Sequence, residues 1–256
     1  MIPLCDETGN LVDVADILKS HRIPVLEPSL SGREMEYVQE CIQSNWISSQ
    51  GSYVTRFEKV FSEMHHKNEA VAVSSGTSAL HLALLTLGIG EGDEVILPDL
   101  TFAATINSVL HAKATPVIVD VDEDSWCIDP NQISKAITKK TKAIIAVHLY
   151  GQPCDMNAIM KIAKKNNLKV IEDCAEAHGT EFEGKKVGSF GNISCFSFFA
   201  NKIITTGEGG MCLTNSPESN DKLRTLRDHG MNRTRKYWHD VVGYNYRMTN
   251  LQAAIG

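Results

Sequence analysis

The sequence predicts an α/β fold, a mostly parallel sheet of seven strands held between helices. Two observations carry that prediction. Seven short apolar runs recur from residue 70 onward, at 70–74, 94–97, 116–121, 143–149, 169–172, 194–199 and 211–214. They read as continuously apolar rather than alternating, as strands buried on both faces do. Helical patterns separate the first five runs, at 76–87, 102–111, 131–138 and 156–166, so successive strands are joined by crossovers.

The elements follow in order. Residues 1–24 have weak periodicity and read as an N-terminal extension with one short helix over 12–20. Met35, Val38 and Ile42 recur at helical spacing and predict a helix over 32–43. Residues 46–53 are rich in Ser and Gly and read as a loop, and 54–65 as an amphipathic helix. The alternating pattern then begins. After the last strand, Ser216 as N-cap, Pro217 at the first position and Gly230 beyond the end bracket a helix. Residues 249–256 read as the opening turns of an apolar helix capped by Thr249, so the chain is expected to be a truncated piece of a longer one.

Composition narrows the function. The 256 residues are 43% hydrophobic and 22% charged, ordinary for a globular chain. A net charge of −6 argues against nucleic acid as a partner, because phosphate binding needs clustered Lys and Arg. No apolar run approaches the ~20 residues of a membrane helix, and the first residues carry acids where a secretory leader would be basic, so no membrane and no leader are expected. The seven cysteines are widely spaced, and none forms a CxxC. They read as buried thiols of a reducing, cytoplasmic compartment rather than a metal or disulfide framework.

Three constellations carry chemistry. Ser74-Ser75-Gly76-Thr77-Ser78 joins a strand to a helix, where free N–H groups and the helix dipole suit a phosphate. It lacks the GK[ST] of a Walker loop, and Ser and Thr also cap helices that bind nothing. Glu172 and Asp173 end an apolar strand, where α/β sheets place ligands and where a carboxylate can hold a proton on a heteroaromatic nitrogen. A solvated or capping acid is the bland alternative. Lys202 follows an apolar strand and precedes the glycine-rich 207–210 turn, unlike most of the 17 lysines, which fall in polar stretches. A desolvated lysine there can act as a nucleophile, and a snorkelling one cannot. A phosphate cradle, a strand-end aspartate and an apolar-set lysine are together what pyridoxal 5′-phosphate requires.

At these residues the chain resembles the DegT/DnrJ/EryC1/StrS family of nucleotide-sugar aminotransferases, of fold type I among pyridoxal-phosphate enzymes. The resemblance runs over 24–256 and rests on SSGTSALHLAL, GDEVILPDLTFAAT, HLYGQPCDM, IEDCAEAHG, SFFANKIITTGEGGM and GYNYRMTNLQAAIG in the family's order. It implies a large cofactor-binding domain over 25–256, without the family's small C-terminal domain. Lys202 would condense with the cofactor aldehyde and shuttle protons, and Asp173 would pair with the pyridine nitrogen. Glu176 would lie near the ring hydroxyl. Gly76, Thr77 and Ser197 would hold the phosphate, and Phe102 would stack on the ring. Asn245 would reach the cofactor phosphate of the neighbouring subunit, which implies a homodimer with shared sites. Family members that deoxygenate their sugar carry histidine in place of the lysine, so Lys202 favours transamination. The YWHD, YNYRMTN and EDCAEA segments most resemble the members that aminate C4 of GDP-4-dehydro-6-deoxy-D-mannose with L-glutamate as donor. The competing expectations are a UDP- or dTDP-linked keto sugar and a truncated, non-catalytic remnant.

Other polar residues take plainer readings. His65-His66 is expected to be a solvated helix end, since adjacent helical positions do not share a face. His148 and His178 fall near the site and are read as structural. Lys139, Lys140, Lys164 and Lys165 are read as exposed helix charges.

Overall fold

The structure is a computed structural model that describes residues 26–67 and 69–256. The expected helix over 12–20 and Cys5 lie outside these. Two helices come first, α1 (Glu34–Gln43) and α2 (Ser52–Met64). The alternating part is β1 (Glu69–Val73), α3 (Gly76–Thr86), β2 (Glu94–Pro98), α4 (Ala103–His111), β3 (Thr115–Val119), α5 (Pro130–Ala136), β4 (Thr141–Val147), α6 (Met156–Asn166) and β5 (Lys169–Asp173). A hairpin of β6 (Glu181–Phe182) and β7 (Lys185–Lys186) precedes β8 (Ile193–Ser197) and β9 (Gly210–Thr214). Helices α7 (Pro217–Arg227) and α8 (Asn250–Ile255) complete the chain.

The seven predicted strands form one sheet in the order β1-β9-β8-β5-β4-β2-β3. Every neighbouring pair is parallel except the two that involve β9, which runs against both β1 and β8. The sheet is therefore mostly parallel, as expected, and alternate residues of each strand bury opposite faces. Val71, Val73, Val95, Leu97, Ile145 and Ile171 pack with α3, α4 and α7. On the other face Ala70, Ala72, Phe196 and Met211 pack with α2 and α8, while Ile96, Ile144 and Val170 pack with α5 and α6. Helix α3 is buried almost all round, which is why its sequence shows no polar stripe.

Three readings are corrected, one is narrowed and one element is added. Helix α2 begins at Ser52, inside the expected loop, because the Asn250 Oδ1 atom accepts the Tyr53 N–H (2.9 Å) and caps the helix from α8. His65 is not solvated. Its ring is fully buried between Phe61 and Phe196, with centroids 4.6 and 4.7 Å away, and its Nδ1 lies 3.0 Å from the Phe61 carbonyl oxygen. His66 is the exposed member of the pair. The added element is the β6–β7 hairpin, whose turn is made by Glu183 and Gly184, both with positive φ. Strand β8 stops at Ser197, because Phe198 turns its N–H to Gly209 O (2.9 Å) and accepts the Thr206 N–H (2.9 Å). The lysine pairs at 139–140 and 164–165 are exposed as expected, but only 164–165 lie on a helix, since α5 ends at Ala136 and 139–140 fall in the turn before β4; the six described cysteines are buried and unbridged.

Candidate active site

A pocket of about 300 Å³ opens at the carboxyl ends of β1, β4, β5 and β8. Its walls include Gly76, Thr77, Phe102, His148, Asp173, Glu176, Ser197 and Lys202. Seven of the eight sequence-predicted site residues are thus brought together. Asn245 is not among them and lies exposed beyond α7, where its side chain accepts from Arg247 Nε at 3.2 Å.

The start of α3 forms one end. Ser75 Oγ accepts the Ser78 N–H (3.1 Å) and Ser78 Oγ accepts the Ser75 N–H (3.0 Å), a reciprocal cap. It takes up the third N–H of the helix and leaves those of Gly76 and Thr77, at the positive end of the dipole, for an incoming anion. Gly76 is required there. A Cβ would stand 2.7 Å from Ser197 Cβ, so glycine lets the helix start approach the end of β8.

Asp173 forms the floor. Its carboxylate accepts the buried Thr105 hydroxyl at 2.8 Å and the Ala175 N–H at 3.2 Å. Thr101 Oγ1 lies 2.8 Å from Thr105 Oγ1, so a chain of hydroxyls leads to the acid. Burial pushes the Asp173 pKa up, against the Thr105 and Ala175 donors and the nearby His148 and Lys202. This is a buried carboxylate short of a cation.

Lys202 stands across the pocket in a tight turn, its N–H bonded to Phe199 O (2.9 Å). Its side chain is 15% exposed, and Nζ lies 3.4 Å from Glu176 Oε1. The other Glu176 oxygen accepts the Tyr150 N–H at 3.0 Å, which aims the acid at the lysine. Phe102, just before α4, is 72% exposed and offers an aromatic face to whatever fills the pocket.

Thr105 and the Tyr150 N–H were missed by sequence reasoning. A threonine in TFAAT carries no signal that its hydroxyl faces a strand two crossovers away. His178 is buried among Phe61, Phe196 and Phe198, and burial lowers its pKa to about 4, so it stays uncharged and packs. His148, Glu172 and Cys174 lie close enough together to suggest a cation site. The Glu172 oxygens, however, are already occupied by hydrogen-bond donors, and burial pushes the Cys174 thiol well up.

The model of the DegT/DnrJ/EryC1/StrS aminotransferase family matches residues 28–256. The chain belongs to that family. It is 57% identical over 234 residues to a GDP-perosamine synthase of Escherichia coli O157:H7, covering 91% of this chain and 64% of that protein. It is 54% identical over 186 residues to a UDP-N-acetyl-3-dehydro-alpha-D-glucosamine 3-aminotransferase of Acidithiobacillus ferrooxidans, covering 72% of this chain and 50% of that protein. The PLP-form of a sugar aminotransferase named as putative, Spr1654 of Streptococcus pneumoniae, superposes with a TM-score of 0.87 at 30% identity, covering 92% of this chain and 65% of that one. The chain therefore spans less than two thirds of the length of the curated relatives it matches. Among the described residues no helix is long and apolar enough to cross a membrane.

Proposed function

We propose that this chain carries the pyridoxal 5′-phosphate site of a sugar aminotransferase that moves an amino group from L-glutamate to a keto nucleotide sugar, GDP-4-dehydro-6-deoxy-D-mannose, giving GDP-perosamine. One observation carries the reading: a lysine amine, a buried carboxylate short of a cation and a helix start with free N–H groups wall one pocket.

The residues fit the cofactor. The N–H groups of Gly76 and Thr77, with the Ser197 hydroxyl, suit its phosphate, and the close Gly76–Ser197 approach shapes that cradle. The Asp173 carboxylate would receive the protonated ring nitrogen, which supplies the cation that its burial lacks. When bound, the cofactor supplies the electron sink that amino-group transfer needs. The protein supplies position and protons. To hold the cofactor, Lys202 Nζ would have to be a free amine, so its proton would first leave. Glu176 Oε1, at 3.4 Å, is placed to pair with the ammonium and to receive that proton. Lys202 Nζ would then carry a proton to and from the donor's α-carbon. Phe102 would cover the ring and shed its own exposed apolar face.

Residues 25–256 act in this reading as the cofactor-binding domain. The exposed Asn245 reaches the cofactor phosphate of a second copy, so the enzyme works as a homodimer. The six cysteines among the described residues, all buried free thiols, suit the cytoplasm. The GDP sugar is favoured by the similarity to a GDP-perosamine synthase, and the similarity to a UDP-sugar aminotransferase makes a UDP-linked keto sugar the second reading.

The test is an absorbance titration of the chain with pyridoxal 5′-phosphate, then borohydride reduction and peptide mapping. A visible band and a pyridoxyl adduct on Lys202 support the proposal. No band, or adducts scattered over exposed lysines, overturns it. Turnover of GDP- against UDP- and dTDP-keto sugars then separates the substrates.

A further inference from the structure

Strand β5 ends in two acids, and the reading above uses only the second. Adjacent strand residues point to opposite faces. Asp173 meets Thr105 on α4, while Glu172 turns to the 188–191 segment. Glu172 is fully buried and accepts four donors. Oε1 takes the N–H groups of Phe190 (2.8 Å) and Gly191 (2.6 Å), and Oε2 takes the Gly188 N–H (2.7 Å) and faces His148 Nε2 (3.3 Å). The turn is built to deliver those amides. Gly188 has φ +87°, and a Cβ there would lie 2.6 Å from the Phe196 ring. Behind the acid, buried Lys67 donates to Gly191 O at 3.3 Å.

His148 links this cluster to the pocket. It directly follows β4, is fully buried, and lines the pocket wall. Its main-chain N–H donates to Asp173 O at 3.1 Å. Ring Nδ1 accepts the Cys154 N–H at 3.1 Å, so the ring proton sits on Nε2 and is the one handed to Glu172.

We propose that His148 is a positioning residue for Asp173, with Glu172 as its anchor: three amides fix the Glu172 carboxylate, the carboxylate and the Cys154 N–H hold the His148 ring, and the held ring fixes the His148 main chain, whose N–H bonds the Asp173 carbonyl. Asp173 is thereby presented to the pocket with one oxygen on Thr105. The assignment rests on the pyridoxal-phosphate reading. It follows the rule that a binding group keeps its geometry only when supporting residues lock it.

Three substitutions in the full chain test it. His148→Gln places an amide N–H near the Nε2 position and keeps the bond to Glu172. His148→Asn reaches only the Nδ1 position and serves Cys154 instead. His148→Phe keeps the shape alone. Each is compared with the parent for pyridoxal 5′-phosphate affinity, for the pH profile of the visible band, and for thermal midpoint without cofactor. His148→Gln is expected to retain most of the affinity and the parental band. His148→Asn and His148→Phe are expected to lose about 10–100-fold, the range that outer partners of a ligand-binding group command, with a displaced pH profile. Equal losses in all three that follow their thermal midpoints would mean packing alone and overturn the proposal, as would unchanged binding in all three. A parent chain that binds no cofactor is a different failure, since it overturns the pocket reading itself.

Discussion

Thr105→Val removes one hydroxyl beneath Asp173 while keeping the shape of a fully buried side chain. The lost group donates to Asp173 Oδ2 at 2.8 Å. A hydrogen bond to a charged acceptor contributes about 1.5–3 kcal/mol. That contribution favours the ionised carboxylate, the form a protonated ring nitrogen needs. At 1.4 kcal/mol per tenfold, cofactor affinity should fall about 10–100-fold. The direction with pH follows from the same bond. Burial already raises the Asp173 pKa and Thr105 is the largest restraint on it, so the variant carboxyl titrates higher still. Cofactor binding should then weaken as pH falls, beginning at a higher pH in the variant. Stability of the cofactor-free chain runs the other way. A carboxyl whose folded pKa is raised gives stability that is present at low pH and lost as pH rises through the window between its unfolded and folded values. The variant's loss of stability should therefore be smaller in acid than at neutral pH. Cofactor titration by absorbance across mildly acidic to neutral pH, with calorimetry of the cofactor-free chain, measures both trends. Parental affinity with a parental pH profile in Thr105→Val would refute the assignment of Asp173 as the group that meets the cofactor's cation.

Three further outcomes are expected. Asp173→Asn removes a charge that burial penalises, so the cofactor-free chain should melt higher at neutral pH, by about 2–4 °C for each kcal/mol gained, while cofactor binding is lost; calorimetry and absorbance read the two. Gly76→Ala drives a Cβ to 2.7 Å from Ser197 Cβ, so it should cost about 1–3 kcal/mol of stability and weaken cofactor binding, seen in urea unfolding and titration. Glu58 accepts from Ala72 N–H and from Nη1 of both Arg224 and Arg227 at 2.8–2.9 Å. Glu58→Ala takes the carboxylate from two largely buried arginines, which keep only neutral acceptors at Ala70, Ala72 and Asn220, and should cost about 3 kcal/mol, measured as a lowered denaturation midpoint.

The sheet was legible because six of its strands are parallel and sandwiched, and their sequences show unbroken apolar runs. The direction of β9 was not. Its run, Gly210–Thr214, looks like the others, and only its pairing with both β1 and β8 reverses it. The end of β8 was also hidden, since Phe198 and Phe199 continue the apolar run while their main chain leaves the sheet for the turn around Gly209. His65 misled for a related reason. A polar residue at a helix end reads as solvated unless Phe196, from a strand far along the chain, is known to cover it. In the candidate site, Asp173 was legible as an acid ending an apolar strand, Gly76 as part of the small, hydroxylated run that opens a helix, and Lys202 as a lysine between an apolar strand and a glycine-rich turn. Thr105 was not, because a hydroxyl within an apolar helix carries no mark of its partner.

The two acids that end β5 show how the fold separates structure from function. They are adjacent and both buried, yet their surroundings shift them in opposite directions. Burial presses the Glu172 pKa upward too, but the His148 ring and the amides of Gly191 and Gly188 outweigh it and hold the carboxyl below its ordinary range. Asp173 has one hydroxyl and one amide, and burial wins. A chain selected only for stability would treat both alike, since an under-served buried carboxylate is costly. The deficit at Asp173 is therefore the informative one. It lies in the wall of the pocket, beside a helix start that attracts an anion and across from a lysine. A ligand that brings a cation to Asp173 and an anion to Gly76 and Thr77 resolves both imbalances at once. Glu172, complete in itself, has nothing left to offer a ligand and is free to serve as the fixed point from which its neighbour is aimed.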